Sequence, residues 1–268
     1  MIEMNDLKVT VVQCDLVWEN RSANFAHISA LLDQAEEDSD IILLPEMFTT
    51  GFTMNTSEAA ESHHDDMDTL RWMRSESMKR NAVVCGSVSV SEQNHFYNRL
   101  YWVRPNGTYS TYDKRHTFSF AGEDRHYERG QQRLVEEWKE WKICPLICYD
   151  LRFPVWSRNG LHHASPLYDV LIYVANWPEA RREPWMKLLP ARAIENQVYV
   201  AACNRIGSDG KGITYSGDSM MINPRGEVMQ QAKPGKEELL HAVFSKHELQ
   251  DFREKFPVLH DADAFRLG

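Results

Sequence analysis

The chain has 268 residues, 43% of them hydrophobic, and a formal charge of −9. A chain this long can bury roughly three quarters of its unfolded surface, so one core needs no covalent staples, and with no Pro/Ser-rich break the sequence reads as one domain over 1–268. The acidic balance argues against nucleic acid as a partner, because phosphate binding draws on clustered Lys and Arg, and five cysteines without paired spacing fit a reduced, cytoplasmic setting.

The opening "MIEMNDLKVTVVQCDL" lacks a basic n-region and an uninterrupted apolar core, so no secretory signal is expected there, and every apolar run is short of the ~20 residues a bilayer span needs. "LKVTVVQ" (7–13) is short and β-branched and predicts a strand. The next segment, 20–37, spaces Phe25, Ile28, Leu31 and Leu32 at helical intervals. "DIILLPE" (40–46) is of buried-strand type, and a helix over about 66–80 would put Leu70, Met73 and Ser77 on one face. "AVVCGSVSV" is then a strand, and Asn106–Gly107 between two β-rich arms marks a hairpin.

The second half repeats the scheme. "WKICPLICY" and "DVLIYVANW" predict strands flanking a helix from about 155, and "REPWMKLLPARAIENQ" predicts a helix with Pro190 awkward inside it. "VYVAACN" is a strand, Pro224–Gly226 turns another hairpin, and a last helix covers 245–254 before an irregular tail. Such alternation implies sheets covered by helices.

Ligands of α/β folds gather beyond the carboxyl ends of strands. Three reactive groups fall there: Glu46 after "IILLP", Lys114 in "YDKRH", and Cys148 in "PLICYDLRFP". Each has a plain structural reading as a solvated strand end, a surface lysine or a buried core thiol. The last is the expectation for Cys14, Cys85, Cys144 and Cys203.

The surrounding blocks decide between these readings. "LLPEMFTTGF", "YDKRHTFSFAGE" and "PLICYDLRFP", in this order, resemble the three signature blocks of the nitrilase superfamily of carbon–nitrogen hydrolases, and the resemblance continues through "ANWPEARREPWMKLLPARAIENQVYVAACNRIG" to "YSGDSMMINPRGEVM". Within that superfamily the chain is similar to the omega-amidases, which cleave the side-chain amides of small 2-oxo acids. The resemblance implies a four-layer α-β-β-α sandwich and a catalytic set of Glu46, Lys114 and Cys148, with Glu123 in "AGED" assisting. It further implies a small-molecule amide substrate, a homodimer or larger assembly, and no metal or organic cofactor.

The chemistry explains that set. A free thiol near pKa ~8.5 is only a few per cent thiolate at neutral pH; a neighbouring ammonium favours the thiolate and a carboxylate can take the proton. Cys148 then attacks the amide carbon with Glu46 as base, Lys114 and the backbone N–H of Tyr149 hold the oxyanion, and a thioester forms as ammonia leaves. A carboxylate on the substrate calls for an Arg. Arg152 is the first choice, against a structural pairing with Asp150 or Glu123, and Arg181 and Arg182 are alternatives. Phe48, Phe118 and Trp177 are candidate pocket walls.

Other chemistries fit less well. No papain-type Cys–His context surrounds His116, and His63–His64 and His162–His163 lack zinc-ligand spacing. No phosphate-binding glycine loop occurs, and "SHHDDMD" (62–68) reads better as a helix start capped by Asp65 or Asp66 than as a cation site. Two alternatives stay open: another enzyme of the same mechanism (an aliphatic amidase, N-carbamoyl-amino-acid hydrolase or nitrilase), and a non-catalytic binding scaffold.

Overall fold

A computed structural model describes residues 6–263. The expected absence of a signal at the first residues and the final part of the irregular tail lie outside the described residues. The strands form two main sheets. The first holds β1 (Leu7–Gln13), β2 (Ile41–Leu43), β3 (Val83–Glu92), β4 (His95–Val103) and β5 (Tyr109–Asp113). The second holds β6 (Glu136–Trp138), β7 (Trp141–Ile147), β8 (Val170–Ala175), β9 (Tyr199–Asn204), β10 (Met220–Ile222) and β11 (Val228–Gln231). A further strand, β12 (Glu238–Phe244), returns to the first sheet and pairs antiparallel with β1.

Both sheets follow one plan. β1, β2 and β3 run parallel and continue into the antiparallel β3–β4–β5 meander. β7, β8 and β9 run parallel and continue into antiparallel β10 and β11. Successive side chains of a strand point to opposite faces, and the sequence uses both. Val9, Val11, Ile41, Leu43, Val83 and Cys85 share a core with Ile143, Leu146, Ile172 and Ala201 of the second sheet. Their neighbours Val12, Ile42, Leu44, Val84 and Val88 pack with Ile28 and Leu32 of α1 (Arg21–Leu32) and Leu70 and Met73 of α2 (Asp68–Arg80). On the far side, α3 (Arg182–Asn196) buries Trp185, Leu189 and Ala193 against the second sheet. Helix, sheet, sheet, helix is the expected four-layer order.

Most predicted elements form within a few residues of their expected bounds, and the last helix, α4 (Lys246–Lys255), is capped by Ser245, whose side chain accepts from Glu248 N. α3 runs through Pro190; the lost backbone hydrogen bond is offset by burial of the apolar face around it. Three expectations are corrected. No helix starts near 155. A turn and the small ladder Leu161–His162 with Ser165–Pro166 fill 153–168 instead, held by Asn159, whose side chain bonds the backbone of Gly160, Leu167 and Tyr168. β12 was not foreseen, because Leu239 and Val243 put apolar residues on its less buried face too and hide the alternation. The N-cap of α2 is Met67 rather than Asp65 or Asp66, with no side-chain cap bond. Among the described residues no helix is long and apolar enough to cross a membrane.

All five cysteines are free and buried. Burial pushes the Cys144 thiol up to about 12 and moves Cys14, Cys85, Cys148 and Cys203 upward as well. In the unfolded chain these thiols ionise near ~8.5, while the folded chain keeps them protonated. Their contribution to stability is therefore complete below that pH and is lost as pH rises toward the folded values, by about 1.4 kcal/mol per thiol per pH unit. The denaturant midpoint should fall steadily from pH 8 to 10; a flat profile over that interval would contradict buried, protonated thiols.

Candidate active site

Glu46, Lys114 and Cys148 leave their strands at the same end of the sandwich. Glu46 follows β2, and the next residue, Met47, takes a left-handed φ of 41°. Lys114 directly follows β5. Cys148 ends β7 and opens the 3-10 turn Cys148–Arg152 with a φ of 44°. Left-handed backbone at a non-glycine residue costs of order 1–3 kcal/mol and persists only where the surroundings enforce it. Here the enforcement is visible. The buried Asp150 carboxylate accepts hydrogen bonds from Ile147 N at 3.0 Å, Tyr112 Oη at 2.7 Å, His116 N at 3.1 Å and His116 Nδ1 at 2.8 Å. The turn that aims the sulfur is thereby pinned to both halves of the fold.

The three groups converge, with Glu123 as a fourth. The Lys114 ammonium donates to Glu46 Oε1 at 2.7 Å and to Glu123 at 2.9 and 3.0 Å. Asn98 Nδ2 bridges the same carboxylates, at 2.8 Å to Glu46 and 3.1 Å to Glu123. Asn176 N donates to Glu46 Oε2 at 2.8 Å, and the Cys148 thiol points to Asn176 O at 3.9 Å. Glu46, Lys114 and Glu123 are at most 1% exposed and Cys148 is 9% exposed. Asn98 and Asn176 carried no sequence signal strong enough to single them out, although Asn176 stands just past β8, where the strand-end rule applies.

Lys114 favours the Cys148 thiolate, as expected, but burial and the Glu46 carboxylate outweigh it and hold the thiol well above its ordinary range. For Lys114, burial works against the charge, and the Glu123 and Glu46 carboxylates outweigh it, so the ammonium is held more firmly than usual. Burial also raises Glu123, with Lys114 opposing. Two carboxylates around one ammonium leave no surplus positive charge to stabilise a resting thiolate. The arrangement suits proton transfer to a base during attack, rather than a standing ion pair.

A cavity of about 300 Å³ opens over the sulfur, lined by Lys114, Cys148, Tyr149, Asn176 and the rings of Phe52, Phe118, Phe120, Trp177 and Tyr215. Arg152, Arg181 and Lys211 also reach it. Arg152 pairs with neither Asp150 nor Glu123; its guanidinium lies 4.9 Å from the Trp177 ring centre. Arg181 lies over Phe118 at 5.4 Å and Phe120 at 4.8 Å. Two other candidates are removed. Arg182 spends its fork on Asp218, with both bonds at 2.7 Å, and Phe48 is fully buried beside Phe25 and Trp72. Phe52, Tyr215 and Lys211 were missed, because Phe52 and Lys211 come from loops and Tyr215 from a three-residue strand, all too short to show a periodic pattern. Among the described residues no group of three or more His, Cys, Asp or Glu side chains could hold a metal ion. His63 instead bonds Tyr101 Oη at 2.8 Å.

Comparison with known proteins gives concordant results. The carbon–nitrogen hydrolase family profile matches residues 8–254. The omega-amidase YafV of Yersinia enterocolitica is 47% identical over 98% of this chain and 100% of its own length. The 2-oxoglutaramate amidase of Bacillus subtilis is 33% identical over 94% of this chain and 96% of its own. In three dimensions, a CN-hydrolase superfamily protein from Xanthomonas campestris, solved with an arsenic adduct in its active site, superposes with a TM-score of 0.95 at 39% identity, covering 99% of this chain and 100% of that one.

Proposed function

This chain belongs to the carbon–nitrogen hydrolase family, and on that premise we propose that Glu46, Lys114, Cys148 and Glu123 make it an omega-amidase acting through a thioester. It is an amidase that hydrolyses the terminal amide of a small carboxylate-bearing acid, such as 2-oxoglutaramate, to acid and ammonia; full-length likeness to the YafV omega-amidases supports this substrate class. The observation that carries the catalytic reading is the convergence of Glu46, Lys114 and Glu123 beside a cysteine in a strained turn, under a cavity edged by cations.

The steps follow from the geometry. The Cys148 proton passes to Glu46 as sulfur bonds the amide carbon and the carbonyl electrons move onto oxygen. Lys114 and the N–H of Tyr149 stabilise that oxyanion; one such donor is worth ~3–4 kcal/mol of barrier. The intermediate collapses, the C–N bond breaks, and Glu46 returns the proton to the departing ammonia. Water then attacks the thioester with Glu46 as base, and the thiol is regenerated as the acid leaves. Glu123 and Asn98 keep Lys114 and Glu46 in register. Arg152 and Arg181, whose charges lie over aromatic faces, attract the distal carboxylate. A cytoplasmic homo-oligomer working without metal or organic cofactor belongs to this reading and rests on the family resemblance.

Ammonia release from 2-oxoglutaramate, succinamate, butyramide, an N-carbamoyl amino acid and an aliphatic nitrile tests the proposal. The two carboxylate-bearing amides should react fastest. Preference for butyramide or the nitrile would keep the mechanism and overturn the substrate class. Arg152→Met should raise KM for succinamate about tenfold, the scale of one charge-assisted hydrogen bond; an unchanged KM would take Arg152 out of recognition.

A further inference from the structure

One segment of the cavity wall is built with more care than packing alone requires. The hairpin Ile206–Ser208 with Thr214–Ser216 crosses the mouth and brings Asp209, Lys211, Ile213 and Tyr215 to it. Its tip is locked by a single carboxylate. Asp209 Oδ1 accepts from Lys211 N at 2.8 Å and Ile213 N at 2.9 Å, and Oδ2 accepts from Tyr215 Oη at 3.0 Å. The backbone closes the same loop, through Asp209 N to Ile213 O and Gly212 N to Asp209 O, each at 3.0 Å. Below the tip, a Cβ added to Gly210 would come within 2.4 Å of Trp18 Nε1, so the loop is pressed onto that ring. At its base, Ile206 bridges Asp15 and the buried Arg205 lies over the Tyr215 ring at 4.8 Å.

Asp209 is only 8% exposed. A carboxylate buried to that degree usually has a cation beside it. Here the donors are two backbone N–H groups and a phenol, and no ion pair involving Asp209 occurs among the described residues. Its bonding capacity is spent on fixing the residues on either side of Gly212. The residue presented by this arrangement is Lys211, an exposed side chain at the cavity lining whose ammonium has no carboxylate or carbonyl partner among the described residues.

We infer that Lys211 is a specificity-determining residue that binds the distal carboxylate of the substrate, and that Asp209 is the positioning residue that holds it over the cavity. This rests on the omega-amidase reading and names a contact that reading did not contain. A fixed backbone under a flexible ammonium reduces the freedom lost on binding, and an ammonium at the rim adds a charge-assisted bond to a distal carboxylate that butyramide does not carry. The neighbouring Arg152 and Arg181 are braced on aromatic rings, so Lys211 is the cation free to follow substrates of different length.

The test compares succinamate with butyramide, which lacks the carboxylate, on Lys211→Met, Lys211→Arg and Asp209→Asn. For Lys211→Met, kcat/KM on succinamate should fall about tenfold more than on butyramide, with the loss in KM rather than kcat, as removal of one charge-assisted contact predicts. Lys211→Arg should recover most of the loss. Asp209→Asn should show the same selective rise in KM with a melting temperature near that of the wild type. Equal losses on both amides in Lys211→Met, or none on either, would overturn the inference while leaving the omega-amidase reading intact. A wild type silent on succinamate and 2-oxoglutaramate would overturn both.

Discussion

Replacing Cys148 with Ala will lower kcat by on the order of 10⁴-fold or more, the scale of losing a covalent nucleophile, and the protein will remain folded. The thiol is small and its hydrogen bonds are few, a weak one to Asn176 O at 3.9 Å and one with the Glu46 carboxylate, so its removal empties little packed volume. The left-handed turn is held by the four hydrogen bonds to Asp150, none of which involves the thiol. The change in stability should therefore stay within about 1 kcal/mol, the range of a substitution that breaks no network. Ammonia release and a thermal melt on the same preparation check both halves. Wild-type turnover in the variant would end the thioester route, whereas loss of activity together with unfolding would mean that the thiol holds the turn after all.

Lys114→Met should be the most damaging substitution of all, for two separable reasons. It removes the charge that offsets Glu46 and Glu123, both fully buried, and stranding buried carboxylates in this way costs about 3–5 kcal/mol. It also removes the group proposed to stabilise the oxyanion, for which the expected loss is roughly 10²–10³ in kcat by itself. The double variant Lys114→Met/Glu123→Gln separates the effects. Neutralising Glu123 lowers the stranded charge and should recover a good part of the stability, since Asn98 can still bond both side chains. Activity should not return. Denaturant titrations of the three proteins, beside their ammonia release, read this out. If Lys114→Met were as stable as the wild type, the buried ammonium would not be what balances the two carboxylates. If the double variant regained turnover, Lys114 would have no role in the chemistry.

These outcomes bear on how the cluster works. Burial and the Glu46 carboxylate disfavour ionisation of the Cys148 thiol, with Lys114 opposing them. In the proposed mechanism, nucleophilicity is produced at the moment of attack by Glu46, which is already in contact with Lys114 and bonded by Asn176 N. The four remaining cysteines are fully buried, and for each of them burial is the largest cause of the upward shift of its thiol.

Most of the architecture was readable because it rests on local periodicity. β-Branched runs such as Leu7–Gln13 and Val170–Ala175 can be satisfied only by burial on both faces, and the 3.6-residue spacing of Leu70, Met73 and Ser77 specifies a helix on one face. The segment after Cys148 misled, because its turn is held by Asp150 and Asn159, whose partners are distant in sequence, and nothing in the spacing of 155–168 reports them. β12 was missed because its apolar residues fall on both faces of the sheet, which leaves no period-two pattern, and its partner β1 lies near the opposite end of the chain.

By itself, then, the sequence determined the order of strands and helices and which residues end the strands. Through three signature blocks it also carried the family and the identities of Glu46, Lys114, Cys148 and Glu123. Tertiary structure alone decided that one ammonium is shared by two carboxylates, that burial and Glu46 disfavour ionisation of the thiol, and that Arg182 is consumed by Asp218 while Arg152 and Lys211 line the cavity. The physical reason is range. Periodicity is a property of neighbours along the chain, whereas protonation and recognition depend on charges, desolvation and hydrogen bonds between residues that only folding brings within a few ångströms.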